Sequence, residues 1–214
     1  MLQECESIFQ NEVARSVNED IIVIDSGCGD NNYLNSLNKK LGIGIDKEYS
    51  LNAASQSINT KFIIGDIEKI PLKDECCDVI ISQMVLEHLR NPSKNIRESY
   101  RILRHGGIFI FVTPHRYHYV SIATALIPSI AIKSMIANFR VYPTYYRCNT
   151  MNRIRKIFTM AGFSKVKLIK TYEPAVTFKS RSINFIAQIL DSLWKIKAGK
   201  AITPHHMVGV FQKG

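Results

Sequence analysis

Asp25-Ser26-Gly27-Cys28-Gly29-Asp30 is the stretch of this sequence best equipped for binding chemistry. Two glycines one residue apart let a backbone turn sharply and come close to a ligand. Two further acids, Asp46 and Asp66, each close a short apolar run. Asp46 stands 19 positions after Gly27, near the spacing of about 20 at which an acid in a dinucleotide fold takes ribose hydroxyls. A carboxylate accepts hydrogen bonds well from a ribose diol or an exocyclic amine. The set therefore suggests a nucleoside-containing cofactor. Candidates for proton transfer are His88, in the Glu87-His88 pair, and His115 with His118 farther along, because imidazole titrates near neutrality. Tyr117, Tyr142, Tyr145 and Tyr146 are candidates for shaping an acceptor pocket, with plain packing as the competing role.

Such residues need a scaffold, and the apolar pattern supplies one. Ile21 to Asp25 is a β-branched run whose continuous apolarity suits a strand buried on both faces. Helical spacing follows over 31–41, with Gly42 placed as a C-cap. Residues 43–46 form a second short strand, 49–57 a short helix, 61–66 a third strand and 78–82 a fourth. Pro92 after Asn91 opens a helix that runs to Arg104 and stops at His105-Gly106-Gly107, before a fifth strand over 108–112. Asn149 or Thr150 caps a helix reaching Ala161, and 165–172 reads as a sixth, more exposed strand. A second amphipathic helix over 182–198 and a strand over 206–212 complete the chain. Strands alternating with helices imply a mostly parallel α/β sheet covered on both faces. In such sheets ligands bind beyond the carboxyl ends of the strands, which is where Gly27, Asp46 and Asp66 fall.

The 214 residues, 46% of them apolar and 21% charged, have the composition of a globular protein and exclude a disordered or disulfide-scaffold class. One domain over 1–214 is the expectation, with 114–147 as an insertion or lid and 173–204 as a helical connection on the substrate side. The net charge of +10 is unevenly spread: residues 1–100 carry 10 basic and 16 acidic side chains, residues 101–214 carry 18 basic and 2 acidic. The five cysteines contain no CxxC pair, so neither a zinc knuckle nor any other metal site is expected, and Cys76-Cys77 read as residues entering a buried strand. Without a basic and apolar leader the start of the chain points to a cytoplasmic setting. The uncharged run over 120–132 falls short of the roughly 20 apolar residues that span a bilayer, which leaves a buried helix pair, a lid or a membrane-surface segment.

VIDSGCGDN at 23–31, GIGID at 42–46, GDIEKIPLKDECCDVIISQMVLEHL at 65–89 and RILRHGGIFIFVTP at 101–114 together resemble a class I S-adenosylmethionine-dependent methyltransferase of the methyltransferase domain 11 type. The resemblance covers about residues 20–115. It implies a Rossmann-like sheet of seven strands in the order 3-2-1-4-5-7-6, the last antiparallel, and S-adenosylmethionine as cofactor. It further implies that Gly27 and Gly29 pack against the methionine portion, with Asp25 nearby, that Asp46 binds the ribose and Asp66 the adenine amine, and that the Ile67 backbone meets the adenine edge. Ser82, Gln83 and Met84 would line the pocket near the sulfonium. Asn31 and Ser26 depart from the glycine and the apolar residue usual at those places. A nicotinamide-binding Rossmann domain is the competing cofactor reading, and Asn32 occupies the place of its last glycine.

Methyl transfer from a sulfonium needs alignment and exclusion of water more than covalent help. A general base matters only where the acceptor loses a proton, and His88 and His115 are the candidates. The place after the fourth strand reads Ser82-Gln83-Met84-Val85, unlike the Pro-Pro motif of methyltransferases acting on nucleic-acid amines. Arg140, Arg147, Arg153, Arg155 and Lys156, with Lys165, Lys167 and Lys170, favour an anionic partner. The leading expectation is O- or C-methylation of a small-molecule or lipid-linked acceptor, a sugar, quinone precursor or polar lipid, with peripheral membrane contact left open. An RNA methyltransferase and a non-catalytic cofactor-binding protein on the same fold are the alternatives.

Overall fold

Successive side chains of a strand point to opposite faces, and here each face of the sheet finds its own cover. Val23, Val79, Ile81, Ile110, Val112, Val208 and Val210 pack into one apolar cluster. Their strand neighbours Ile24, Ile80, Phe109, Phe111 and Phe211 pack into another. That is why the central strands read as unbroken apolar runs rather than as alternating ones.

The computed structural model describes residues 4–30, 33–48, 58–118, 121–122, 142–172 and 205–214. The expected helices over 49–57 and 182–198, and most of the 114–147 insertion, lie outside the described residues. The elements are α1 (Glu4–Ser16), β1 (Ile22–Ser26), α2 (Tyr33–Ser36), β2 (Leu41–Asp46), β3 (Thr60–Ile64) and β4 (Cys77–Gln83). A 3-10 turn (Leu86–His88) follows, then α3 (Pro92–Ile102), β5 (Leu103–Pro114), α4 (Met151–Met160), β6 (Phe163–Thr171) and β7 (His206–Lys213). The seven strands form one sheet in the order β3-β2-β1-β4-β5-β7-β6. β1 to β5 are parallel where they pair, and β7 runs antiparallel to both β5 and β6. This is the expected order and polarity.

Helix α1 was not anticipated. Cys5, Phe9 and Val13 recur every four residues, and this stripe seals the valine-rich face. On the phenylalanine-rich face sit Ile96 and Ile102 of α3 and Ile154 and Phe158 of α4. Phe158 stacks at 4.1 Å on Phe211 and at 5.5 Å on Phe111, the offset contacts that aromatic rings favour. Thr150 is the residue that caps α4, its hydroxyl accepting from Arg153 N.

Three expected boundaries are corrected. The helix expected over 31–41 is present only as Tyr33–Ser36, because Lys40 N already bonds to Ile21 O at 3.0 Å and Leu41 opens β2 opposite Ile22. Gly42 is therefore a strand residue rather than a helix cap, and a Cβ there would collide with the Lys39 side chain. α3 ends at Ile102 rather than Arg104, since Leu103 pairs with Cys77 before the ladder slips to Val79 opposite Ile108. Asn91 precedes α3 but makes no side-chain cap; its N–H bonds instead to Glu68 Oε1. β6 is the sheet edge, and it carries a register shift between Lys165 and Lys167 together with exposed lysines, devices that block edge-to-edge pairing. Among the described residues no helix is long and apolar enough to cross a membrane, and all five cysteines are free thiols.

Candidate active site

The carboxyl ends of β1, β2, β3 and β4 lie side by side, so the loops that leave them share one edge of the sheet. Gly27 N bonds to Ile45 O at 2.8 Å, which folds the loop after β1 back over β2. Only glycine fits at this turn: φ is +82° and a Cβ would lie 2.6 Å from a Val85 methyl. Gly29 also has positive φ, +51°, and among the described residues no atom lies within 4 Å of its missing Cβ. Its N–H points to Asp46 Oδ2 at 2.9 Å, and Asp46 Oδ1 accepts from Glu48 N at 3.1 Å. Asp46 is thereby aimed by the two loops it joins.

Asp25 is buried beneath this loop, and its Oδ2 has no hydrogen-bond partner among the described residues. Burial pushes its carboxyl up to about 7, with the neighbouring Asp46 charge adding to the rise. The same surroundings drive the Cys28 thiol upward, first through burial and then through Asp25 and Asp46. Cys28 is thus no nucleophile at neutral pH. Asp66 follows β3 and is half exposed; its Oδ1 accepts from Glu68 N at 2.8 Å and its Oδ2 lies 3.3 Å from Lys47 Nζ. The backbone of buried Ile67 is steadied by Asn95 Nδ2, which donates to its carbonyl at 2.9 Å.

From β4, Ser82 donates its hydroxyl to Ser26 O at 3.0 Å, so it latches the β1 loop to β4 from within the core. Gln83 is half-buried at the strand end, and Met84 is exposed with φ +53°. A bulky residue held in the left-handed region costs on the order of 1–2 kcal/mol, and such strain concentrates at functional sites.

Glu87 and His88 come next. Glu87 is buried, accepts from Thr113 Oγ1 at 2.9 Å, and that hydroxyl in turn accepts from Asn149 Nδ2 at 2.6 Å. Burial raises the Glu87 carboxyl, while His88, its own backbone N–H and Thr113 pull it back. His88 Nδ1 lies 2.9 Å from Pro143 O. A carbonyl only accepts, so Nδ1 carries a proton and Nε2 is the nitrogen left for chemistry, 3.8 Å from Glu87 Oε1. His115 differs: Tyr117 N donates to its Nδ1 at 3.4 Å, and burial together with Lys170 lowers it to about 4. His115 belongs to a buried group with His118, His205 and His206, where the His118 and His205 rings lie 4.0 Å apart. His88 follows β4 and His115 directly follows β5, both at the carboxyl edge of the sheet, but the His88 ring is half-buried whereas His115 is buried. Val85, Thr113 and Asn149 were missed by sequence reasoning, because nothing local marks residues that meet across 26 to 58 positions of chain.

A Rossmann-like sheet whose first loop is glycine-turned, with acids at the next two strand ends, defines the class I methyltransferase architecture. Residues 24–111 match the family described as "Methyltransferase domain". Relatives include a malonyl-[acyl-carrier protein] O-methyltransferase of Marinomonas sp., 29% identical over 45% of this chain and 39% of that protein. An uncharacterized protein of Methanocaldococcus jannaschii is 37% identical over 41% of this chain and 42% of its own length. The matches span less than half of these relatives. Among solved structures, an S-adenosylmethionine dependent methyltransferase from Mesorhizobium loti superposes with TM-score 0.62 at 14% identity, covering 98% of this chain and all of that one. The [4+2]-cyclase SpnF superposes with TM-score 0.64 at 16% identity, covering 97% and 80%. At such identities the superpositions show the fold alone.

The residues present fit the family's cofactor, S-adenosylmethionine. The glycine-turned loop, the Asp25 oxygen that lacks a partner among the described residues and the carboxylates of Asp46 and Asp66 supply acceptors suited to a molecule with an ammonium, a ribose diol and an adenine amine.

Proposed function

We propose that this chain transfers a methyl group from S-adenosylmethionine to an oxygen or carbon of a small-molecule or lipid-linked acceptor. The observation that carries the reading is the Gly29–Asp46 contact over buried Asp25, because it places a glycine-turned loop and two aimed acids on one sheet edge. The names of the relatives from Marinomonas and Yersinia pestis, both malonyl-[acyl-carrier protein] O-methyltransferases, support oxygen as the acceptor atom. A sugar, a quinone precursor and a polar lipid all present such an atom.

When bound, the cofactor supplies an electrophilic methyl carbon on a sulfonium. The chain's own task is to hold and orient. Asp46 accepts from a diol while Gly29 N and Glu48 N keep its two oxygens in place. Asp66 and the Ile67 backbone are set to accept and donate at the adenine edge. The Ser82 latch keeps the loop from opening toward water. His88, its Nδ1–H committed to Pro143 O, takes the acceptor's proton at Nε2, and partial exposure of the ring lets that proton leave to solvent.

Calorimetry with S-adenosylhomocysteine tests the cofactor half: Asp46→Ala should weaken binding by about tenfold or more, the loss of one charge-assisted hydrogen-bond pair. Absence of binding by the wild type at millimolar ligand refutes the reading. A mass-spectrometric screen of metabolites and liposomes for methyl gain tests the acceptor half. With an acceptor in hand, His88→Ala should lower kcat about 100-fold or more while leaving S-adenosylhomocysteine affinity unchanged.

A further inference from the structure

Two arginines flank one tyrosine beside the candidate active site, and two more bond to the main chain just after it. Arg90 Nε donates to the Tyr145 hydroxyl at 2.9 Å, and its Cζ lies 5.6 Å from the centre of that ring. Arg147 Cζ lies 5.9 Å from the same centre. Arg153 Nη1 donates to Arg147 O at 2.9 Å, and Arg116 Nη1 to Tyr146 O at 3.3 Å. All four are exposed.

No carboxylate among the described residues pairs with any of these guanidiniums. The contrast with Arg101 and Arg104 is direct, since each of those lies 2.7 Å from an aspartate. An aromatic face and main-chain carbonyls hold these guanidiniums in place. The backbone is also bent there: Tyr146 has φ +46° and is buried, with Tyr145 and Arg147 left on its outer side. Tyr145 N and Tyr146 N donate to Glu87 O at 2.7 and 3.1 Å, and His88 Nδ1 meets Pro143 O. The arginine group is thereby strapped to the turn that carries His88.

One guanidinium fork satisfies one carboxylate; several converging forks with spare donors suit a phosphoryl group, whose three or more oxygens accept in several directions. We propose that Arg90 and Arg147, bracketing Tyr145 and backed by Arg116 and Arg153, bind a phosphate or diphosphate carried by the methyl acceptor. The assignment to the acceptor rests on the methyl-transfer reading above. The anion site itself does not.

The test is calorimetric titration of the intact chain with inorganic pyrophosphate at low salt. Arg90→Gln/Arg147→Gln should weaken binding about tenfold or more, whereas Arg155→Gln/Lys156→Gln, which removes the same charge from α4, should change it less than about twofold. S-adenosylhomocysteine affinity should be the same in both variants, which shows that each is folded. Cosedimentation with phosphatidylglycerol vesicles, lost only in the Arg90/Arg147 variant, assigns the phosphate to a lipid headgroup. Pyrophosphate binding without cosedimentation assigns it to a soluble acceptor. An equal loss in both double variants, or none in either, overturns the proposal. So does binding of a single-stranded RNA oligomer by a chain that ignores pyrophosphate, which would favour nucleic acid. Pyrophosphate behaving as expected while S-adenosylhomocysteine fails to bind the wild type would refute methyl transfer and leave the anion site standing.

Discussion

Asp25→Asn separates the charge of the buried acid from its shape, since asparagine is nearly isosteric with the protonated carboxyl. The carboxyl is raised from 3.8 to about 7, first by burial and then by Asp46. A rise of that size corresponds to about 4 kcal/mol between the two protonation states. Because the folded-state value lies above the unfolded one, the folded chain binds the proton more tightly. Its contribution to stability is complete below about pH 4 and is lost as pH rises through about 7. Over that window the wild type should lose about 1.4 kcal/mol per pH unit relative to Asp25→Asn. With a urea dependence of roughly 2–3 kcal/mol per molar, this is about half a molar in the unfolding midpoint per pH unit. Urea titrations of both proteins at pH 5, 6, 7 and 8 measure it. The difference between the two is the informative quantity, because His115, His118 and His206 are lowered by burial and impose a slope of opposite sign on both proteins. A wild-type-minus-variant difference that stays constant from pH 5 to 8 would refute the claim that Asp25 holds a proton in the folded state.

Gly27→Ala forces a Cβ to 2.6 Å from Val85 at a positive φ; a loss of about 2–3 kcal/mol is expected, read as a midpoint fall of roughly 5–10 °C on thermal unfolding. Thr113→Val removes the hydroxyl that joins Glu87 to Asn149 inside the core, and should cost about 2 kcal/mol in urea unfolding, whereas an unchanged midpoint would show the network to be dispensable. His206, lowered to about 4 by burial and His205, has a folded-state value below the unfolded one, so its contribution is present above about pH 6.5 and is lost as pH falls toward 4. Thermal melts of His206→Gln between pH 7 and 4.5 should therefore lack about 2–3 kcal/mol of the acid destabilisation seen in the wild type.

The parallel core of the fold was legible because each central strand is apolar on both faces and ends on a chemically marked loop. Ile21 to Asp25 and Asp78 to Ser82 need no tertiary information to be read as strands. Helix α1 is marked too, by the Cys5, Phe9, Val13 stripe, though the polar residues between them dilute it. The 31–41 helix failed for a nonlocal reason: strand pairing of Leu41 with Ile22 draws the chain out of the helix its spacing favours.

The candidate site divides along the same line. Gly27, Gly29, Asp46 and Asp66 announce themselves, since glycine and aspartate at strand ends have few other uses, and the acidic half of the chain is where this edge is built. What the basic half does was decided by tertiary structure. Lys167 turns out to be committed to Glu12 at 2.7 Å, while Arg90, from the acidic half, joins Arg147 across Tyr145. Side chains more than 50 positions apart meet only when the sheet order brings the ends of β4 and β5 beside the N-terminus of α4. Local sequence determines backbone preference and which residues prefer burial; which buried acid keeps its proton, and which cation lacks a carboxylate, depends on neighbours that the fold alone supplies.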